Sequence, residues 1–274
     1  MRVVFLDAYN LIYRALSGFT KGENPVIFNF FRGLRPLVEK YDPDLVYFVL
    51  EGQPKHRNQI SEGGYKAGRP SRGESFHRQK ASIIAACKEY MPFVTVRHPD
   101  FECDDVIATY VAQHARQGDE CFIVSSDTDF IQLHNLFNIT LYNPVKKKEI
   151  PKPEYDYVMW KALRGDPTDN IPGIPRVGDK TAEKLVRDPA LLDSFLSDSS
   201  KKLIFERNIN LIRLVDLGNS LDEMEVFGSR LSENGLHDYI KELKFDSMLK
   251  ESTWKKYIKT FKTLQEKNDA NITR

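Results

Sequence analysis

The sequence predicts an α/β fold, with a mostly parallel central sheet flanked by helices and a helical part after it. Two observations carry this. Short, near-continuous apolar runs rich in β-branched and aromatic residues recur through the first half of the chain, with amphipathic helical patterns between them. From about residue 152 such runs stop, and a segment rich in Gly, Pro and Asp leads into helical stretches.

The first run, Val3–Leu6, meets Asp7. It is too short for a signal peptide and reads as a buried strand. A helical pattern from Phe28 to Tyr41 precedes the second run, Leu45–Leu50, which meets Glu51. The pattern Phe76–Tyr90 precedes the third run, Phe93–Val96. Residues Cys103, Val106, Ile107, Tyr110, Val111 and Ala115 follow i, i+3, i+4, i+7 spacing, so they predict an amphipathic helix that stops near Gly118. The fourth run is Cys121–Val124, and Ile139–Tyr142 is expected to close an edge. Helical patterns then cover Thr181–Val186, Lys201–Leu217 and Gly235–Leu249, continuing to Phe261, with a frayed polar tail from Gln265 to Arg274. The expected parts are residues 1–160 and 161–274.

The longest uncharged apolar run, Leu45–Leu50, cannot span a bilayer. Three cysteines, Cys87, Cys103 and Cys121, lack metal-ligand spacing and suggest core packing in a reducing, cytoplasmic setting.

Carboxylates gather where the strands end. Asp7 and Glu51 follow the first two runs. The third leads through a short loop to Glu102, Asp104 and Asp105 at the start of a helix, and the fourth leads to Asp127 and Asp129. In an open parallel sheet, ligands bind beyond the carboxyl ends of the strands, so these acids share one crevice. A lone Asp after a strand is usually a turn former or a cap. Several together repel and persist when cations neutralise them, and oxygen-only donors select Mg²⁺ or Mn²⁺. Asp166 and Asp169, from the Gly/Pro/Asp-rich segment, are added by a family resemblance and make nine. The chain has 40 basic and 39 acidic residues. Setting the nine aside leaves 40 basic against 30 acidic, a balance suited to a polyanionic partner.

Two further segments point to that partner. Residues Gly173 to Ala182 look like a helix-hairpin-helix, a glycine-containing turn feeding a helix whose packed face is Ala182, Leu185 and Val186. Gly173 and Gly178 would let a phosphate approach the backbone, with Lys180, Thr181 and free N–H groups to hold it. Residues 52–80 carry seven Lys/Arg (Lys55, Arg57, Lys66, Arg69, Arg72, Arg78, Lys80) against two acids, Glu62 and Glu74, with Tyr65 and Phe76 interspersed. A solvated loop explains this composition as well as a function does. Its position after Glu51 favours a mobile basic gate for single-stranded nucleic acid.

The stretches LDAYNLIYRA, FVLEGQPKHR with GYKAGRP, FECDDVIA, SSDTDF and GDPTDNIPGIPRVGDKTAEKL resemble, in order, those of the 5′-nuclease (flap endonuclease) family. That family includes the nuclease domain of bacterial DNA polymerase I and stand-alone phage enzymes. The resemblance covers roughly residues 1–250 and implies a PIN-like metal-dependent nuclease part followed by a helix-hairpin-helix (helix-three-turn-helix) region. It implies one ion held by Asp7, Glu51, Glu102 and Asp104, and a second held by Asp105, Asp127, Asp129, Asp166 and Asp169, some through water. Arg14, Lys66 and Arg69 match positions that contact the scissile phosphate, and Tyr65 matches one that stacks on a base. Three departures stand out: Glu51 replaces a usual Asp, Ala8 and Cys103 replace other small residues, and Arg176 replaces a usual hairpin Gly.

The implied reaction is metal-assisted hydrolysis of DNA or RNA-primer phosphodiesters near 5′ ends, in replication or repair. The implied substrates are 5′ flaps, 5′ single-stranded ends and primer–DNA hybrids, read by structure and bound by a monomer. Two alternatives remain: a Mg²⁺-dependent phosphohydrolase for a small molecule, and a non-cleaving DNA-binding or scaffold homologue.

Overall fold

The computed structural model describes residues 1–18, 22–61 and 64–272. Five parallel strands form its centre: β1 (Arg2–Asp7), β2 (Leu45–Val49), β3 (Val94–Arg97), β4 (Glu120–Val124) and β5 (Ile139–Asn143). All five apolar runs of the sequence are strands. Spatially they lie in the order β5-β4-β1-β2-β3. The chain therefore steps outward from β1 in one direction, then crosses back to β4 on its other side. That crossover makes a switch point between the carboxyl ends of β1 and β4, where a crevice opens in such sheets. A two-residue strand, β6 (Lys148–Glu149), pairs antiparallel with β5.

Helices cover both faces. On one side lie α1 (Ala8–Leu16), α2 (Pro25–Tyr41) and α4 (Glu74–Tyr90), packed on Val4, Leu6, Val46 and Phe48. On the other lies α5 (Cys103–Arg116), packed on Val3, Phe5, Tyr47 and Ile123. Alternate residues of one strand thus serve opposite cores, which explains why the runs are apolar throughout. Asp7 itself caps α1, accepting the Asn10 N–H at 3.0 Å. Between β2 and α4 runs a short helix, α3 (Lys55–Ile60).

The second part begins with α6 (Tyr157–Arg164), then a tight hairpin of β7 (Gly165–Asp166) and β8 (Ile171–Pro172), then α7 (Asp179–Arg187), α8 (Pro189–Phe195) and α9 (Ser199–Ile212). Two small cores hold it, one around Ala162, Ile171 and Leu211 and one around Leu163, Ile174 and Leu185. Gly165 has φ +84°, and a Cβ there would meet Gly173 N at 2.3 Å. The hairpin therefore needs glycine at that corner.

The structure corrects the sequence reading after residue 212. The expected helix Lys201–Leu217 ends at Ile212, because Arg213 leaves the helical region (ψ 132°). A further strand appears, β9 (Glu225–Gly228), antiparallel to β3 at the sheet edge. Its Val226 and Phe227 are half exposed, so it lacks a continuous apolar run. The polar tail is not frayed over the described residues. After α10 (Glu233–Glu242) and α11 (Asp246–Leu249), α12 runs from Glu251 to Ile272. Gln265 accepts the Leu231 N–H at 3.0 Å, and Asn268 donates to the Pro92 carbonyl at 3.1 Å. Phe261, Leu264, Leu236 and Ile240 join the core beneath α2 and α4. Residues 225–272 complete the layer begun by residues 1–90, so one core crosses the expected boundary at 160/161. No helix of the described residues is long and apolar enough to cross a membrane.

Candidate active site

A cleft of about 890 Å³ opens at the switch point. Seven of the nine carboxylates line it: Asp7, Glu51, Glu102, Asp104, Asp127, Asp166 and Asp169. Asp7 is held at both oxygens, by Asn10 N–H and by the Ser125 hydroxyl at 2.7 Å. Glu51 accepts from Cys103 N–H at 3.4 Å, which aims it at the first turn of α5. Gly52 is obligatory just behind it, because a Cβ there would lie 1.9 Å from the His98 carbonyl. Asp127 accepts from the Asp129 N–H at 2.9 Å, and Asp166 from the Thr168 N–H at 2.8 Å. Among the described residues, two triads bring oxygens within 4.8 Å of one another: Glu102–Asp104–Asp105 and Asp129–Asp166–Asp169. Asp105 thus falls with Glu102 and Asp104, not with Asp129, since all three ride the first turn of α5.

Asp105 and Asp129 stand behind the cleft, each against a buried cation. Arg57, 3% exposed, donates to Asp105 at 2.5 and 2.8 Å and to Glu102 at 2.8 Å. It also donates to the Leu211 carbonyl at 2.9 Å. Lys161 binds Asp129 and lies 2.6 Å from Asp166. The sequence reading missed both. It placed Arg57 in a solvent-facing basic segment and did not single out Lys161. Nothing local marks either one, because the elements they join are 45 and 32 residues apart in sequence.

Among the nine carboxylates stand four cations in salt bridges, Arg57, Lys66, Arg69 and Lys161, a formal excess of five negative charges. The cost appears in the protonation of the acids. Burial pushes Asp7 up to about 6 and Glu51 to about 8; for Glu51, Lys66 opposes the shift while Glu102 and Asp104 add to it. Burial likewise raises Asp105 and Asp129 to about 7. Asp166 is the exception: burial works against its charge, but Lys161 outweighs this and holds the carboxyl below its ordinary range. An excess of buried carboxylate with oxygen-only donors is the donor set of a hard divalent ion. The residues therefore fit such a metal.

Residues 2–161 match the family model described as the 5′-3′ exonuclease, N-terminal resolvase-like domain. The chain belongs to the 5′-3′ exonuclease family. It is 32% identical to a thermostable DNA polymerase I of Thermus thermophilus over 91% of this chain and 33% of that one. This family member thus spans about a third of the length of the first curated relatives it matches. It is 27% identical to a 5′-3′ exonuclease of Aquifex aeolicus over 90% of this chain and 93% of that one. A structure of the bacteriophage T5 flap endonuclease with DNA and metal ions superposes with a TM-score of 0.67 at 17% identity, covering 89% of this chain and 98% of that one. At that identity the likeness shows the fold.

Within this exonuclease-family chain the other expected residues divide. Lys66 and Arg69 line the cleft, Lys66 on Glu102 and Arg69 on Asp169 at 2.7 Å. Arg14 does not line it; a Cβ on Gly33 would find Arg14 Nη1 at 3.8 Å, on the side of α2. Tyr65 is not available to stack on a base in this arrangement. Its ring is buried in the core around Ala162 and Leu211, and its hydroxyl donates to Asp169 at 3.1 Å. Part of the basic segment is anchored. Lys66 N–H donates to the Asp169 carbonyl at 3.0 Å and Asn170 donates to the Gly64 carbonyl at 2.8 Å, so residues 64–69 are clamped to the β7–β8 hairpin. Glu62 lies outside the described residues. In the helix-hairpin-helix, Gly178, Lys180 and Thr181 are exposed at the α7 N-terminus. Gly173 serves packing instead, since a Cβ there would meet the Arg164 carbonyl at 2.0 Å. Arg176, at the usual glycine position, has φ +69°, a left-handed backbone that costs a side-chain-bearing residue about 1–2 kcal/mol.

Proposed function

We propose that this chain hydrolyses phosphodiester bonds near the 5′ ends of nucleic acid, at flaps or single-stranded 5′ termini, with divalent ions held by the cleft carboxylates. The observation that carries this is the excess of five negative charges at the switch point, in a cleft that also presents Lys66, Arg69 and Lys161. An anionic substrate would be repelled by the acids alone. Family membership and the relatives named as exonuclease and flap endonuclease support the same reading.

Asp7, Glu51, Glu102 and Asp104 would hold one ion, and Asp127, Asp166 and Asp169, with Asp129 within reach, a second. Mg²⁺ or Mn²⁺ suits these donors. When bound, such ions lower the pKa of water and neutralise charge building on the phosphate. The chain's own groups do the rest. Ser125 and Asn10 fix the orientation of Asp7. Lys161 holds Asp129 and Asp166 together. Lys66 and Arg69 donate to phosphate oxygens in exchange for Glu102 and Asp169. The exposed N-terminus of α7, with Lys180 and Thr181, grips a duplex backbone without reading bases.

Incubating a 5′-flap DNA and a small phosphomonoester with Mg²⁺, for the native chain and for Asp127→Asn, tests this. Flap cleavage that Asp127→Asn lowers by at least about 100-fold is expected, as for removal of one essential polar group at a reacting centre. An intact flap beside a hydrolysed monoester would sink the proposal, and binding without cleavage would mark a scaffold.

A further inference from the structure

Helix α6 has three faces. Val158 and Ala162 pack into the core around Ile171 and Leu211, and Met159 and Leu163 into the core around Ile174 and Leu185. The third face, Tyr157, Trp160, Lys161 and Arg164, follows i, i+3, i+4, i+7 and lines the carboxylate cleft together with Tyr155. Lys161 is accounted for by Asp129 and Asp166. Trp160 packs in part against the second of these cores and Tyr157 is hydrogen-bonded to Thr128, yet the rings stay partly exposed along the cleft.

These rings form one partly exposed platform. Tyr157 and Trp160 stack with centroids 5.6 Å apart and planes inclined by 30°, and Tyr155 lies 5.9 Å from Trp160. Arg164 sits 5.3 Å from the Trp160 ring centre. The platform is pre-set: Trp160 Nε1 donates to the Asp179 carbonyl at 3.1 Å, and Arg164 binds the Asp179 side chain. Core packing accounts for part of Trp160 but not for three aromatic rings left partly exposed beside carboxylates. Flat π faces flanked by a guanidinium are what an unpaired nucleobase and its phosphate require.

We propose that the Tyr155–Tyr157–Trp160 platform is a stacking subsite for an unpaired nucleobase of the strand being cut, with Arg164 beside its phosphate. This rests on the nuclease reading above. The subsite is tolerant of base identity, because every base offers a π face. It borders the reacting phosphate, because Lys161, next to Trp160 in sequence, contacts two of the acids. It also joins the cleft to the helix-hairpin-helix, since Asp179 opens α7.

The test is a cycle between protein and substrate. Single abasic residues are placed in turn on either side of the cut in a 5′-flap DNA, and kcat/KM is measured for the native chain and for Trp160→Leu, with Trp160→Phe as the variant that keeps a ring. At one position the abasic residue should cost the native chain about 5- to 100-fold, the range of base–aromatic stacking, and Trp160→Leu less than about 2-fold. Trp160→Phe should keep most of the native response. Binding gives a second reading. With Trp254→Phe, Trp160 is the sole tryptophan, and its emission should be quenched by flap DNA in an Asp127→Asn background and far less by the abasic DNA. Losses that multiply at every position, or an emission indifferent to the base, overturn the subsite. A native chain that cuts no flap overturns the nuclease reading instead, so the two failures are distinguishable. Loss of folding in Trp160→Leu leaves the fluorescence arm, which needs no change at Trp160, to decide.

Discussion

At the scale of single residues, the site is a set of acids held against their own repulsion. Asp7 near 6, Glu51 near 8, and Asp105 and Asp129 near 7 all lie above the ordinary carboxylate range, with burial the first cause in each. The folded state therefore binds protons that the unfolded chain has released by neutral pH. Stability from these groups is present at low pH and is lost as pH rises from about 4 through 8. In chelator, the melting temperature should climb by about 5 °C between pH 8 and pH 6, and Mg²⁺ at pH 8 should recover that difference. Scanning calorimetry at the two pH values checks this, and a chelated protein more stable at pH 8 would contradict it. Seven of the acids were legible in sequence because each follows a strand or opens a helix, and Asp166 and Asp169 through the family resemblance alone. Their division was not, because Asp105 is turned away by Arg57, a partner 48 residues distant.

At the scale of elements, Arg57 ties three pieces together. It sits on α3, neutralises the first turn of α5 through Asp105 and Glu102, and reaches the end of α9 at the Leu211 carbonyl. Val215 N–H adds a bond to Asp105 at 2.8 Å from the chain just beyond. Arg57→Met would leave buried Asp105 without its cation and Glu102 with Lys66 alone, so it should lower stability by about 3–5 kcal/mol. A shift below about 1 kcal/mol in urea unfolding would show that the contact is not maintained. The five parallel strands and most helices were readable from periodicity, since buried parallel strands leave apolar runs. The clamp between residues 64–69 and the β7–β8 hairpin was not, because a sequence rich in Lys, Arg and Gly has the composition of a solvated loop. What anchors it is a set of long-range bonds to Asp169 and Asn170.

For the whole molecule, one core joins residues on both sides of position 160. Seven residues of α10–α12, among them Tyr257, Phe261 and Leu264, belong to the same core as Val4, Phe31 and Phe48. A chain ending at residue 232 should lose cooperative packing and expose that core. Near-UV circular dichroism and ANS binding measure this directly. A sharp thermal transition with native near-UV signal in the truncated chain would restore the boundary that composition suggested. α12 is rich in charged residues and buries Tyr257, Ile258, Phe261 and Leu264. It reads as an appendage although it closes the central layer.

β9 carries a consequence for biosynthesis. The strand that flanks β3 is drawn from residues 225–228, while β3 leads directly into the loop that delivers Glu102 and Asp104. A nascent chain therefore has every cleft acid outside the ribosome long before the edge of its sheet and the helix beneath are available. Pairings of such long sequence separation form late and together. In refolding, the β3–β9 pairing should therefore form after the local contacts around the cleft acids.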